Sequence, residues 1–151
     1  MTREELTILL SELLPSITFE EGGEWLNAIV PAEEWPSLSK ALKSAEGYNF
    51  DYLFCLTCVD WKTHLTMVYH LTSTTHRHPL VIKIKLDRTK PEVETVCNIW
   101  RTAEFHEREV FELFGVNFIN HPDLRNLILP DVWDGFPLRK DYEDPINMIK
   151  L

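Results

Sequence analysis

The apolar positions divide the chain into a long regular part and a shorter irregular one. Leu6, Leu9, Leu10, Leu13 and Leu14 recur at helical spacing behind Thr2, and Glu5 completes a capping box, so a helix opens the chain and Pro15 ends it. Ile17 and Phe19 then alternate with Thr18 and Glu20. The Glu21-Gly22-Gly23-Glu24 turn and the run Trp25 to Val30 complete a hairpin. Trp35, Leu38, Leu42 and Ala45 return to a helical period, with Pro36 near its start and Gly47 past its end. Three strand-like runs follow: Tyr52 to Val59, Leu65 to Leu71 and Leu80 to Leu86. Val93 to Gly115 reads as one helix or two, with Val110, Phe111 and Phe114 on the apolar side and Gly115 as the residue that ends it. The order α-β-β-α-β-β-β-α predicts a two-layer α+β domain, with helices on one face of a mainly antiparallel mixed sheet.

At Gly115 the period stops. From Asn120 to Asp141 the chain is dense in turn formers and charges yet keeps Leu124, Ile128, Val132, Trp133, Phe136 and Leu138. Flexible tails lack such groups because they have no core to bury them in. The expectation is therefore an α+β domain over residues 1–115 and an extended, partner-docking segment over 116–151, laid on a surface as part of the same structural unit.

At 151 residues the chain is long enough for one real core. A net charge of −9 argues against nucleic acid and against docking on anionic lipid by charge alone. No apolar run approaches the ~20 residues that span a bilayer, and the acidic, amphipathic start does not read as a signal peptide. Three cysteines in a chain without a secretory mark point to free thiols in a reducing cytoplasm.

Cofactor chemistry finds little support. Cys55-Leu56-Thr57-Cys58 has C-x-x-C spacing, but on a strand those positions face opposite ways, and no second pair completes a zinc or cluster site. His76-Arg77-His78 reads as a solvated hairpin tip. His106-Glu107 lacks the second histidine of H-E-x-x-H, because position 110 is Val. Glycine-rich nucleotide loops are missing. Glu104–Arg108 and Arg108–Glu112 are spaced as i, i+4 pairs. Glu107 falls on the apolar stripe, where a carboxylate must be paired, hydrogen-bonded or neutral. An ion pair with Arg125 or Arg139 is the structural reading, and a charge held for a partner is the functional one. His121, Asp123 and Glu107 suit a small hydrolase on residue type alone, although no nucleophile lies beside them in sequence. Trp133, Phe136, Arg139 and Tyr142 are of the types that anchor interfaces.

The residues Glu107-Arg108-Glu109, Phe114-Gly115, Phe118, His121-Pro122-Asp123-Leu124-Arg125 and Pro137-Leu138-Arg139-Lys140-Asp141-Tyr142 resemble the signature of the C-type subunit of the respiratory NADH:quinone oxidoreductase (complex I), the family of the mitochondrial 30 kDa subunit. Glu112 stands where that pattern has Asp, Asn120 where it has Gly, and Asn126 where it has a second Arg. Asn tolerates a positive φ, so Asn120 fits a turn, while Asn126 removes a cation. The resemblance implies a subunit of the peripheral arm that holds no cofactor itself, the FMN, iron–sulfur clusters and quinone belonging to the complex. It implies packing against the 49 kDa-type (D) and B subunits, and a peripheral place on the cytoplasmic face of the cell inner membrane. Related forms resemble parts of energy-converting hydrogenases and other quinone-linked dehydrogenases, so the electron donor stays open.

Overall fold

The computed structural model of the chain describes residues 1–149. Helix α1 (Arg3–Leu13) starts with the capping box: the Thr2 side chain accepts from the Glu5 N–H, and the Glu5 carboxylate accepts from the Thr2 N–H. Strands β1 (Thr18–Glu20) and β2 (Leu26–Ile29) form the hairpin, α2 (Trp35–Ser44) follows, and β3 (Tyr52–Asp60), β4 (Leu65–Thr72) and β5 (Pro79–Leu86) supply the long strands. The sheet order is β1-β2-β5-β4-β3, antiparallel except for the parallel β2–β5 pair. It is the mainly antiparallel mixed sheet that the alternation predicts.

Side-chain alternation sets the two faces. Leu65, Met67, Tyr69 and Leu71 of β4, and Leu80, Ile82 and Ile84 of β5, are fully buried beneath the helices. Trp35 of α2 lies 4.7 Å from the Tyr69 ring and stacks 6.2 Å from Trp100. Trp100 is itself fixed by its indole N–H, which donates to the Phe50 carbonyl at 2.8 Å. Cys58 is buried on this face and Cys55 is half-buried on the other, so the C-x-x-C thiols diverge along the strand.

The segment from Val93 to Gly115 is where the expectation needs correction. Only Ala103–Phe114 is helix (α3). Ahead of it, β6 (Glu92–Glu94) pairs in parallel with β7 (Asn117–Ile119), a small second sheet that the sequence reading does not contain. Three-residue strands carry too little alternation to be recognised, and the pair forms between distant segments. Its consequence is local: it brings Thr95, Val96 and Cys97 alongside the chain that leaves α3. Gly115 takes φ 77° to end that helix, and Asn120 takes φ 63° at the turn after β7, as expected of an Asn in a glycine's place.

Replacing Trp100 with Phe keeps most of the volume but orphans the buried Phe50 carbonyl. The expected loss is about 1–3 kcal/mol, read as a lower urea midpoint with an unchanged slope.

Candidate functional site: the segment strapped to α3

Beyond β7 the described chain contains no further helix or strand, so its backbone polar groups need other partners. Helix α3 supplies many of them. The buried Glu112 carboxylate accepts from three successive backbone N–H groups, those of Leu127 (2.9 Å), Ile128 (2.9 Å) and Leu129 (3.0 Å). Four residues earlier, buried Arg108 donates to the carbonyls of Arg125 (3.1 Å) and Asn126 (2.9 Å). An acid and a base one turn apart thus read a stretch of backbone as acceptors and then donors. The i, i+4 ion pairs expected along the helix give way to this arrangement, because both side chains turn toward the segment.

The end of α3 is used in the same way. Its last carbonyls have no partner within the helix. Leu113 O accepts from the Leu138 N–H at 3.0 Å, and Phe114 O accepts from Arg139 Nε at 2.6 Å. The Arg139 guanidinium lies 4.9 Å over the Phe136 ring. That ring sits so close to Gly115 that an added Cβ would meet it at 2.7 Å. Pro137, half-buried, leads into this contact, and Tyr142 closes against Gly135. Further on, Asp60 Oδ2 accepts from the Lys140 N–H (2.8 Å) and from Arg88 (2.8 Å), which also reaches Asp141 at 3.2 Å. Burial alone would raise the Asp60 pKa. The N–H groups of Lys140 and Lys62 and the Arg88 guanidinium outweigh it and hold the carboxyl at about 2.

Glu107 is completely buried, and its partner differs from the expected one. Neither Arg125 nor Arg139 reaches it: Arg125 pairs with Asp123 at 2.9 Å, and Arg139 caps the helix end. Glu107 accepts instead from the Thr95 hydroxyl (2.5 Å) and the Val96 N–H (2.8 Å) on the link after β6, with His121 Nε2 at 3.6 Å. Burial pushes its pKa up, partly offset by those two hydrogen bonds, to about 7. The His121 ring is held from both sides. Its Nδ1 accepts from the Asp123 N–H (3.0 Å), which places the ring proton on Nε2, and this donates to the Glu104 carbonyl (3.0 Å).

Cys97, Glu107 and His121 bring one donor atom each within 4.8 Å, the one such cluster among the described residues, and the sequence reading missed it because Cys97 lies in the unrecognised link. Its chemistry does not suit a metal. The His121 lone pair is on Nδ1, already accepting from the Asp123 N–H, and the Glu107 oxygens already accept from Thr95 and Val96. The same accounting weakens the hydrolase reading, since His121, Asp123 and Glu107 each hold a structural hydrogen bond.

Of the signature residues, then, Glu107, Arg108, Phe114, Gly115, His121, Pro137 and Arg139 face inward as fasteners. Glu109, Asp123 and Leu124 are half-buried, and Pro122, Arg125, Leu138, Lys140 and Asp141 are exposed. Several aliphatic side chains stand exposed among these charges: Ile128 is 67 % exposed, Val132 93 %, Leu138 52 %, Ile146 89 % and Ile149 87 %.

Comparisons with known proteins bear on this segment as well as on the domain. The family model for "Respiratory-chain NADH dehydrogenase, 30 Kd subunit" matches residues 28–146. The C-type subunit of the NADH-quinone oxidoreductase of Moorella thermoacetica is 40 % identical over 135 residues, covering 88 % of this chain and 90 % of that one. The C/D subunit of the Phocaeicola vulgatus NADH-quinone oxidoreductase is 43 % identical over 124 residues, covering 81 % of this chain and 24 % of the relative, so this chain spans about a quarter of that protein's length. Among solved structures, the trypsin-resistant fragment of Nqo5 has a TM-score of 0.71 at 25 % identity, covering 82 % of this chain and 100 % of that one. A chain of an archaeal membrane-bound sulfane sulfur reductase has a TM-score of 0.73 at 28 % identity, covering 93 % and 85 %.

Two outcomes test the fastening. Glu112→Ala leaves three N–H groups without their acceptor, so the bonds around residues 125–130 should be cut faster by a broad-specificity protease while the sheet core stays resistant, at about 1–3 kcal/mol of lost stability. Glu107 is raised from the ordinary 4.5 to about 7, so its contribution is full at low pH and is lost as pH rises through 7. Between pH 4.5 and 7.5 the wild type should therefore lose roughly 3 kcal/mol that Glu107→Gln does not lose, measured as the difference between their urea unfolding curves.

Proposed function

The chain belongs to the 30 kDa subunit family of respiratory-chain NADH dehydrogenase, and we propose that it is a cofactor-free structural subunit in the peripheral arm of a proton-translocating NADH:quinone oxidoreductase. In this reading it holds neighbouring subunits in register and carries no electrons itself. FMN, iron–sulfur clusters and quinone are bound by other subunits.

The observation that carries the reading is the two-sidedness of the strapped segment. Its inner side is fixed by Glu112, Arg108, His121 and the end of α3, while its outer side presents Ile128, Val132, Leu138, Ile146 and Ile149 to solvent. A backbone so firmly held gains nothing for its own fold by exposing aliphatic side chains, and large apolar side chains left exposed along one fixed segment suit an interaction surface. The same fastening lets a partner bind without ordering the segment first. Assigned as partners are the 49 kDa-type (D) and B subunits. The relative whose name joins C and D in one polypeptide supports a D-type neighbour. No helix among the described residues is long and apolar enough to cross a membrane. That accords with a peripheral place on the cytoplasmic face of the cell inner membrane, the membrane being reached only through the complex.

A second reading keeps the strap and changes the donor. The sulfane sulfur reductase chain shares this fold at 28 % identity, so an equivalent subunit of an energy-converting hydrogenase or another quinone-linked dehydrogenase fits the same geometry.

The test is a tagged chain recovered from detergent-solubilised membranes, with subunits identified by mass spectrometry and NADH–quinone activity assayed. The double variant Val132→Asp, Leu138→Asp changes only exposed positions, so the chain should stay folded while co-recovery of partner subunits falls by about tenfold or more, the equivalent of ~1.4 kcal/mol. Undiminished recovery would sink the docking role of the segment. Recovery of wild type with a different electron-input module would select the second reading.

A further inference from the structure

The helices cover one face of the five-stranded sheet; no helix among the described residues covers the other, although Thr66, Val68 and Val81 on it are already buried. Three cross-strand rows lie on it. Cys55, His70, Val81, Asn27 and Glu20 form one. Thr57, Val68, Lys83, Ile29 and Thr18 form the next, and Val59, Thr66 and Lys85 the third. An antiparallel sheet facing water reads polar on its outward positions. Here Val81, Val68, Ile29 and Val59 occupy them, and Trp25, Phe54 and His70 form an edge-to-face cluster with centroids 5.6–5.8 Å apart.

Between the second and third rows the face is concave. Val59, Val68 and Ile29 line the apolar part of a cavity of about 230 Å³, with Trp61, 56 % exposed, at its border and Lys83 and Lys85 among its lining. Lys83 is already paired with Glu20 at 2.5 Å. Lys85 is exposed and has no ion-pair partner among the described residues. Glu20, Lys83 and Lys85 all line the hollow, so its formal charge is one positive unit on a chain whose net charge is −9. The hollow is below the ~300–1,000 Å³ of small-molecule sites, which favours side chains of a protein segment over a free ligand. Trp61, at its border, follows Asp60, whose buried carboxylate accepts from the backbone N–H of Lys140 in the strapped segment.

We propose that this hollow on the helix-free sheet face is a second docking site, taking a segment of a partner subunit that sets an apolar side chain against Val59, Val68 and Trp61 and a carboxylate against Lys85. The occupant is a protein segment with an aspartate or glutamate beside an aliphatic or aromatic residue. The site accounts for the four branched apolar side chains on the outward face and for Lys85, which has no ion-pair partner among the described residues. It presupposes membership of a multisubunit complex but not that the strap is the other contact.

The test uses the intact complex recovered through a tag on this chain. A carbodiimide joins amines to carboxylates only where the two are in contact, and cross-linked peptides identify both ends. Lys85 should be joined to an Asp or Glu of another subunit, and the link should vanish in Lys85→Arg, whose guanidinium does not couple. Acetylation of Lys85 should be slower in the complex than in the isolated chain by at least about fivefold, the factor corresponding to ~1 kcal/mol of pairing. Equal acetylation in both states overturns the proposal, and protection without a carboxylate link overturns the acidic occupant. If the strap variant loses its partners while wild-type Lys85 stays reactive in the complex, the strap reading stands and this one falls. If the strap variant assembles normally while Lys85 is protected and linked, the reverse holds. A chain recovered without other subunits overturns both.

Discussion

Three ionisable side chains of one helix are buried, and the fold around them is arranged to make that tolerable. Glu107, Arg108 and Glu112 are 0 %, 4 % and 3 % exposed on α3. An unpaired charge there would cost several kcal/mol. Salt bridges among themselves would leave the chain beyond β7 without partners for its backbone. The observed solution gives each charge a stretch of polypeptide. Glu112 takes the N–H groups of 127–129, Arg108 the carbonyls of 125 and 126, and Glu107 the link after β6. Helix and segment thus satisfy each other's buried polar groups.

This explains how a segment without regular structure is fixed in place. Secondary structure normally absorbs backbone donors and acceptors. Here the side chains of α3 and its free C-terminal carbonyls take that role, supported by the small parallel sheet that aims His121 back at the Glu104 carbonyl. Aromatic packing then does the rest: Phe136 between Gly115 and Arg139 leaves no room for a Cβ at position 115. Phe136 and Leu124 pack inward beside these fasteners, while Ile128, Val132 and Leu138 are left exposed.

Much of this was legible in the residues, and the limits are physical. Long elements with strong periods, the capping box at Thr2, the glycine end of α3 and the positive φ of Asn120 all follow from local rules that act within a few residues. The buried position of Glu107 was also readable, since it lies on the apolar stripe of its helix. Its partners were not. An ion pair with a distant Arg was the natural expectation, yet the partners are a hydroxyl and a backbone N–H on a link whose strand, Glu92–Glu94, is too short to announce itself. The pairs Glu104–Arg108 and Arg108–Glu112 mislead for a related reason. Helical spacing says which side chains are able to meet, worth a few tenths of a kcal/mol, and that is smaller than the need of a buried backbone for partners.

One buried carboxylate ties the segment to the end of β3. Asp60 closes β3, takes the Lys140 N–H of the segment and holds Arg88, which extends to Asp141. Trp61, the next residue, borders the hollow on the helix-free sheet face. Besides the contacts with the end of α3, the segment's later half is tied to the sheet by this one side chain with three hydrogen-bonded partners, and its low pKa keeps it an acceptor across the whole neutral range. A partner that touches both surfaces would find their spacing already fixed, without the ordering cost that a mobile segment imposes on binding. A strap whose inward side is engaged by α3 and which leaves Ile128, Val132 and Leu138 exposed, on a domain whose outward sheet face carries a Lys85 without an ion-pair partner among the described residues, suits the proposed role of holding other subunits at a defined distance.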